Sequence, residues 1–181
     1  MDTLPDYLTY GLQIVFVGIN PGAYSVRVGH YFATSQNRFW SALNRSGLVH
    51  GGGELGPEDD VRMHEFGIGF TDVVKRATNS ASSLRSADYR QGGPVLQKKL
   101  LVFQPMVVCF NGIMGYRNYL RYGEGTKVAP HFGAQEHVIG TSRVFVAPSP
   151  SPANAAFSLD TLAGWYRRLG EYRDCLAEPR T

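Results

Sequence analysis

The alternation of short apolar segments with longer amphipathic ones predicts an α/β fold built on a mostly parallel sheet. The short segments are rich in β-branched residues and end at glycine or proline, whereas the longer ones carry apolar residues at helical spacing. Strands that alternate with helices favour parallel pairing. With 181 residues, of which 43% are hydrophobic, the chain can bury one sizeable core but is short for two. We therefore expect a single domain over residues 1–181.

Four segments are predicted to be strands. The first, Leu12–Val17, is continuously apolar and is closed by Gly18 and by the Pro21-Gly22 turn, which is typical of a buried parallel strand. The other three are Met106–Phe110, Glu136–Gly140 and Arg143–Ala147. The last of these ends at Pro148, which cannot donate a hydrogen bond to a sheet.

Four segments are predicted to be helices. Asn37–Ser46 has apolar residues on one face and Asn37 in a position to cap its first turn. Asp88–Phe103 is amphipathic, and we expect its Gly92-Gly93-Pro94 sequence to lie at the start of the helix or to kink it. The other two are Gly112–Leu120 and the strongly periodic Leu159–Leu176. Gly51–Asp60, rich in glycine and acid, is predicted to be a surface loop.

Composition and charge exclude several classes of protein. Cys109 and Cys175 lie far from any CxxC spacing, so we expect no zinc site, no iron–sulfur cluster and a reducing compartment. Met1–Leu12 has no apolar stretch of signal length and no later run is long enough to span a membrane, which predicts a soluble, cytoplasmic or otherwise intracellular protein. The formal charge of +3 is compatible with a polyanionic partner but decides little.

Two loops are expected to lie where ligands bind in such a sheet, at the carboxyl ends of the strands. Gly18–Gly22 follows the first strand and Ala147–Ala153 follows the last. The first loop lacks the GxGxxG pattern of dinucleotide-binding proteins and the lysine of a Walker loop, which disfavours a nucleotide hydrolase. Taken alone, Asn20 could be a turn residue or a catalytic group, and the proline-rich second loop could be a stiff connection or a rigid probe.

The segment Ile14–Leu48 resembles the mismatch-specific uracil/thymine DNA glycosylases. The resemblance lies in the GINPG sequence of the first loop, the Gly29–Phe32 block and the Asn37–Trp40 helix start. Further matches are Gly69–Arg76, Gly92-Gly93 to Gln104-Pro105, Phe110–Gly112 and Ala147–Ser149, so that it spans residues 12–172. It implies a three-layer α/β/α sandwich like that of uracil-DNA glycosylase. It also implies a monomer that needs no metal or cofactor.

The same resemblance implies that the protein flips a uracil or mispaired base out of DNA and hydrolyses its N-glycosidic bond, initiating base excision repair. A sensor that binds such bases without cutting is the alternative. Asn20 matches the residue that positions the attacking water, and an amide can hold a water but cannot take its proton near neutral pH. Phe32 matches the aromatic that stacks on the flipped base, although it could instead belong to the core. Gly18, Ile19 and Tyr31 would complete the base-binding pocket.

The proline-rich loop matches the family's wedge, which fills the gap left by the flipped nucleotide. It comprises Ser149, Pro150, Ser151, Pro152 and Ala153. Relatives place an arginine at Ala153 to contact the orphaned guanine, so recognition of the opposite base by a charge is in doubt. Contacts to DNA phosphates are expected from Arg27, Lys75, Arg76, Arg85 and Arg117.

Two further positions bear on catalysis and specificity. Asp72 replaces the asparagine or lysine of many relatives, and it could be a carboxylate that activates water or the N-cap of a helix over Val73–Ala77. Ser25 stands where thymine-accepting relatives have alanine and uracil-preferring relatives have serine. The serine therefore implies a preference for uracil.

Overall fold

A computed structural model describes residues 2–178 and contains a five-stranded sheet. The strands are β1 (Ile14–Gly18), β2 (Ile68–Asp72), β3 (Val107–Asn111), β4 (Gly133–Ile139) and β5 (Ser142–Ala147). They lie in the order β2-β1-β3-β5-β4. The first four in this order are parallel, and only β4 runs antiparallel, to β5. This confirms the prediction of a mostly parallel sheet.

Helices cover both faces of the sheet, which gives three layers. They are α1 (Ala23–Val28), α2 (Phe39–Ser46), α3 (Ser86–Phe103), α4 (Ile113–Tyr122) and α5 (Leu159–Ala177), with 3₁₀ helices at Pro57–Phe66 and Ala81–Ser83. Ile14 and Phe16 of β1 face a core shared with α2 and α5, whereas Val15 and Val17 face a core shared with α3 and α4. Residues on both faces of β1 are therefore buried, which explains its unbroken apolar run. Within residues 2–178, no helix is long and apolar enough to cross a membrane.

Two elements beside β1 were not predicted. In β2, Gly69 interrupts the apolar run because the N-terminal segment crosses there, and a Cβ at Gly69 would lie 2.3 Å from the carbonyl oxygen of Tyr7. Tyr7 exchanges backbone hydrogen bonds with Phe70, 2.9 and 3.1 Å long. The helix α1 has only six residues, too few to show a period.

The Gly92-Gly93-Pro94 sequence lies inside α3 rather than at its start. The helix runs continuously from Ser86 to Phe103. A Cβ at Gly92 would lie 2.2 Å from the carbonyl oxygen of Val73, and a Cβ at Gly93 would lie 2.8 Å from the backbone nitrogen of Gly123. The glycines therefore allow α3 to approach two neighbouring backbones, and this contact outweighs their poor helix propensity.

The prediction that Gly51–Asp60 is a surface loop is wrong at its end. Asp60 belongs to the 3₁₀ helix Pro57–Phe66 and is 1% exposed. Its carboxylate accepts a hydrogen bond from the backbone N–H of Tyr31 at 2.7 Å and lies 3.0 Å from Nδ1 of His30. A buried carboxylate is tolerated where such partners surround it, and here it fixes the backbone of the Gly29–Phe32 block.

Candidate active site

A cavity of about 570 Å³ opens at the carboxyl edge of the sheet, where β1, β2, β3 and β5 end. Its walls include all twelve residues predicted for the site: Gly18, Ile19, Asn20, Ser25, Tyr31, Phe32, Asp72, Ser149, Pro150, Ser151, Pro152 and Ala153. The parallel topology brings these residues together because each follows, or packs beside, a strand that ends at this edge. Their individual roles remain predictions.

The side-chain amide of Asn20 is held in one orientation. Its Nδ2 donates to the carbonyl oxygen of Arg76 at 2.8 Å and to Oγ1 of Thr78 at 2.7 Å. The Thr78 hydroxyl donates in turn to the carbonyl oxygen of Ser80 at 2.9 Å, so it must accept from Asn20. Both amide hydrogens are thereby used. Within the part of the chain that the structure describes, no donor hydrogen bonds to Oδ1, which is left to accept from a bound molecule.

Asp72 is the last residue of β2 and its side chain reaches the cavity over Gly18. A Cβ at Gly18 would lie 2.5 Å from Oδ1 of Asp72, so only glycine leaves room for the carboxyl group. The N-cap interpretation of Asp72 is wrong, because residues 73–77 form no helix. Instead Val73 and Val74 donate backbone hydrogen bonds, each 2.9 Å long, to Gly18 at the end of β1 and to Ile19 just after it.

The environment of Asp72 favours its protonated form. Burial raises the pKa of Asp72 to about 6, with the nearby Lys75 ammonium opposing the shift and the Asp6 carboxylate adding to it. Nζ of Lys75 lies 3.5 Å from Oδ2 of Asp72. A carboxyl group with a pKa near 6 can exchange a proton with a bound water close to neutral pH.

Lys75 and Arg76, two of the predicted phosphate contacts, already have protein partners. Nζ of Lys75 lies 2.9 Å from Oδ1 of Asp6 and donates to the Tyr31 hydroxyl at 3.2 Å. Asp6 also pairs with Lys99; burial alone would raise the pKa of Asp6, but the two lysines lower it. Arg76 forms two hydrogen bonds with the Asp88 carboxylate, at 2.8 and 2.9 Å. The geometry therefore gives both cations a structural role.

The structure places Phe32 both against the core and at the wall of the cavity. Its ring packs against the core and is stacked on that of Phe39, with centroids 4.2 Å apart and planes at 18°. It also lines the cavity. The backbone of Phe32 has φ of 55°, a left-handed conformation that non-glycine residues rarely adopt. Such backbone strain is common at ligand sites, where the surrounding structure holds it.

Asn111 is a cavity residue to which sequence analysis gave no role. It ends β3, is 4% exposed, and its Oδ1 accepts a hydrogen bond from the Tyr166 hydroxyl at 3.2 Å. Its Nδ2 has no partner among residues 2–178. A buried unpaired donor costs about 1–3 kcal/mol, and Asn111 is among the residues that line the cavity. A polar residue ending an apolar strand at the carboxyl edge was the available signal.

The Ser25 hydroxyl is buried in α1 and is already hydrogen bonded within the protein. Its Oγ accepts a hydrogen bond from the backbone N–H of Ala33 at 3.1 Å, and the residue is 5% exposed. Ser25 therefore fixes the turn that carries Phe32 while lining the cavity. Among residues 2–178, no group of three His, Cys, Asp or Glu side chains is placed to hold a metal ion.

The fold and the cavity define an α/β/α protein with a pocket lined by both polar and aromatic side chains at the carboxyl edge of its sheet. The chain belongs to the uracil DNA glycosylase superfamily, whose family model matches residues 5–169. This confirms the family resemblance drawn from the motifs. It also agrees with the predicted fold.

Two relatives illustrate the similarity. A Schizosaccharomyces pombe protein named G/U mismatch-specific uracil DNA glycosylase is 32% identical over 158 residues, which is 86% of this chain and 49% of the relative. The chain thus spans about half the length of this curated relative. The solution NMR structure of a candidate uracil DNA glycosylase from Methanosarcina acetivorans has a TM-score of 0.56 and 21% identity, with 93% of this chain and 97% of that one covered. At that identity the likeness supports the fold alone.

Proposed function

We propose that this protein is a monofunctional DNA glycosylase that removes uracil from G·U mispairs. The observation that carries the proposal is the anchored amide of Asn20, a residue that lines a cavity large enough for a flipped base. Family membership and the name of the S. pombe relative support the same reaction. Enzymes that act on a base within duplex DNA extrude the nucleotide into such a pocket.

The proposed reaction is a hydrolysis in which Asn20 and Asp72 share the handling of water. Oδ1 of Asn20 accepts a hydrogen bond from the water and orients it toward C1′ of the sugar. The bond between C1′ and N1 breaks, the uracil leaves with the bonding electron pair, and the water oxygen bonds to C1′. Ionised Asp72 takes the proton that the water loses. Lys75 and Lys99 are held by Asp6, so neither is available to form a Schiff base that would cut the strand.

We assign recognition of the uracil to contacts with the face of its ring and with one carbonyl oxygen on its edge. Phe32, backed by Phe39, offers a ring on which a base can stack, and base–aromatic stacking contributes about 1–3 kcal/mol per base. Asn111 lines the cavity and its Nδ2 is unpaired within residues 2–178, and we assign this amide to a carbonyl oxygen of uracil, which it would reach by a small movement of the side chain. We assign Gly18, Ile19 and Tyr31 to the remaining pocket wall.

The exposed Pro152 and Ala153 form the wedge tip, which replaces the flipped nucleotide in the stack. Arg27, Arg85 and Arg117 remain available for phosphates. The enzyme would act on intracellular DNA as a monomer.

The proposed function is tested by single-turnover incubation with a labelled duplex that contains one G·U mispair. We expect release of free uracil and strand cleavage only after alkaline treatment, because a monofunctional enzyme leaves an abasic site in an intact strand. The same duplex with G·C is the control. Binding of the G·U duplex without uracil release would instead favour a sensor that does not cut.

Ser25→Ala tests the basis of a preference for uracil over thymine. We expect the wild-type enzyme to process G·U at least about tenfold faster than G·T, since roughly 1.4 kcal/mol of barrier corresponds to a factor of ten. The Ser25 Oγ is held by the backbone N–H of Ala33 in a residue that lines the cavity, and we place it beside the C5 position of the bound base. Its removal should raise G·T activity and narrow the ratio, measured by single-turnover kinetics at one salt concentration.

Ser46→Ala is the matched control for Ser25→Ala. Ser46 is equally buried, and its hydroxyl is likewise hydrogen bonded, to the carbonyl oxygen of Leu43, but it lies outside the cavity. This control should leave the G·U to G·T ratio unchanged. Equal wild-type rates on the two mispairs, or an unchanged ratio in Ser25→Ala, would remove Ser25 from the account of specificity.

A further inference from the structure

The side chain of Arg38, just before α2, is bound to the loop between β5 and α5. Its Nη2 donates to the carbonyl oxygens of Ser151 at 3.0 Å and Asn154 at 2.8 Å, and its Nη1 donates to that of Phe157. The backbone N–H of Arg38 adds a bond to the carbonyl oxygen of Pro150 at 3.1 Å. One residue therefore holds four carbonyl groups along the segment 150–157, which we call the wedge loop.

The wedge loop needs such a partner because it contains no helix or strand. Its carbonyl groups have no ladder or helical hydrogen bonds to join, and the fork of a guanidinium can satisfy several of them at once. The amide of Asn154 adds a bond to the carbonyl oxygen of Ser149 at 3.0 Å. At the far end, the ring of Phe157 packs edge-on against Phe132 with centroids 5.4 Å apart. The exposed tip at Pro152 and Ala153 is thus braced on both sides.

The contacts of Arg38 point to this loop rather than to an ion pair. Among residues 2–178, no carboxylate forms a salt bridge with Arg38, although Arg45, within α2, pairs with Asp160 at 2.7 Å. Nε of Arg38 is buried, so the guanidinium lies beneath the loop instead of reaching into solvent. The guanidinium donates its hydrogen bonds to backbone oxygens of a segment that borders the cavity.

We propose that Arg38 is a positioning residue that keeps the wedge loop rigid, so that its tip can enter the duplex when a nucleotide is flipped. The proposal rests on the proposed glycosylase function. A loop that is ordered before binding loses little conformational entropy when it inserts, whereas a loose loop must be ordered at that moment. Arg38 therefore acts on extrusion of the base, while Asn20 and Asp72 act on cleavage of the bond.

The test compares two duplexes of the same sequence, one with a G·U mispair and one with uracil in a one-nucleotide bulge. A bulged uracil has no partner base and needs little help from a wedge. We expect Arg38→Met to lose about tenfold or more in single-turnover rate on G·U and less than about threefold on the bulge. The signal of 2-aminopurine placed next to the uracil, which reports unstacking, should rise more slowly on G·U by the same factor.

Two further variants keep the test decisive. Arg45→Met changes the same residue type in α2, away from the wedge loop, and should match the wild type on both substrates. Arg38→Lys and Asn154→Ala weaken the same brace more mildly and should show the same substrate pattern to a smaller extent, even if Arg38→Met does not fold. Equal losses on both duplexes, or no loss on either, would overturn the role of Arg38. Absence of uracil release by the wild-type enzyme would instead count against the proposed function.

Discussion

Replacing Asn20 with alanine is expected to lower single-turnover release of uracil from a G·U duplex by at least about a hundredfold, the scale of loss when a reacting group is misplaced. The amide is held by Arg76 and Thr78, so its Oδ1 presents a fixed acceptor to water. Alanine removes that acceptor without altering the surface that meets DNA. The dissociation constant for the duplex, measured separately by fluorescence anisotropy, should therefore stay within about twofold.

Thr78→Val supplies a graded control for Asn20. Valine keeps the shape of threonine but removes the oxygen that accepts from Nδ2, so the amide loses one of its two main anchors while its Oδ1 remains. We expect an activity between that of the wild type and that of Asn20→Ala. Activity of Asn20→Ala close to that of the wild type would contradict the placement of water by Asn20.

The local parts of this site could be predicted from the sequence. An apolar run followed by Gly-Ile-Asn-Pro-Gly fixes where β1 ends and where Asn20 stands, because strand and turn signals both lie within a few residues. The stiffness of the Pro148–Pro152 stretch could also be predicted, since proline restricts its own backbone. These segments depend little on the rest of the chain.

The parts of the site that depend on distant segments could not be predicted. Asp72 followed by Val73 and Val74 is compatible with a helix start, and only pairing with β1 decides against it. The pairing of Lys75 with Asp6 requires the N-terminal segment to lie beside β2, a contact between residues 69 apart. Asn111 stands at the end of an apolar strand in the sequence, but its pairing with Tyr166 and its unpaired Nδ2 are visible only in the fold.

Asp72→Asn is expected to lower the rate of uracil release by about a hundredfold or more, within the range that a general base contributes. Burial raises the pKa of Asp72 to about 6, and the groups that face it are Lys75, Asp6 and Tyr31. The base must be ionised to accept a proton. The wild-type rate should therefore rise about tenfold per pH unit below pH 6 and level off above it, whereas the rate of Asp72→Asn should not follow this curve.

Measurements of thermal stability can tell whether Asp72→Asn is slow because it lacks a general base or because it is unfolded. The pKa of Asp72 is raised above its ordinary value of 3.8, so the folded state binds this proton more tightly than the unfolded state does. The stability contributed by the protonated carboxyl is fully present below about pH 4 and is lost as the pH rises through about 6. Asparagine cannot ionise and escapes this loss. The melting temperature of Asp72→Asn should therefore rise relative to that of the wild type when the pH is raised from 5 to 7.5.

The two measurements together assign the role of Asp72. The carboxylate would be identified as the general base by a variant that is at least as stable as the wild type at pH 7.5 but releases uracil slowly. Its rate should also lack the increase with pH that the wild type shows below about pH 6. Rates and pH profiles that coincide in the two enzymes would instead give Asp72 a structural role beside Gly18, where its carboxyl group fills the space that a Cβ would occupy. Water activation would then fall to Asn20 alone, which can orient a water but cannot take its proton.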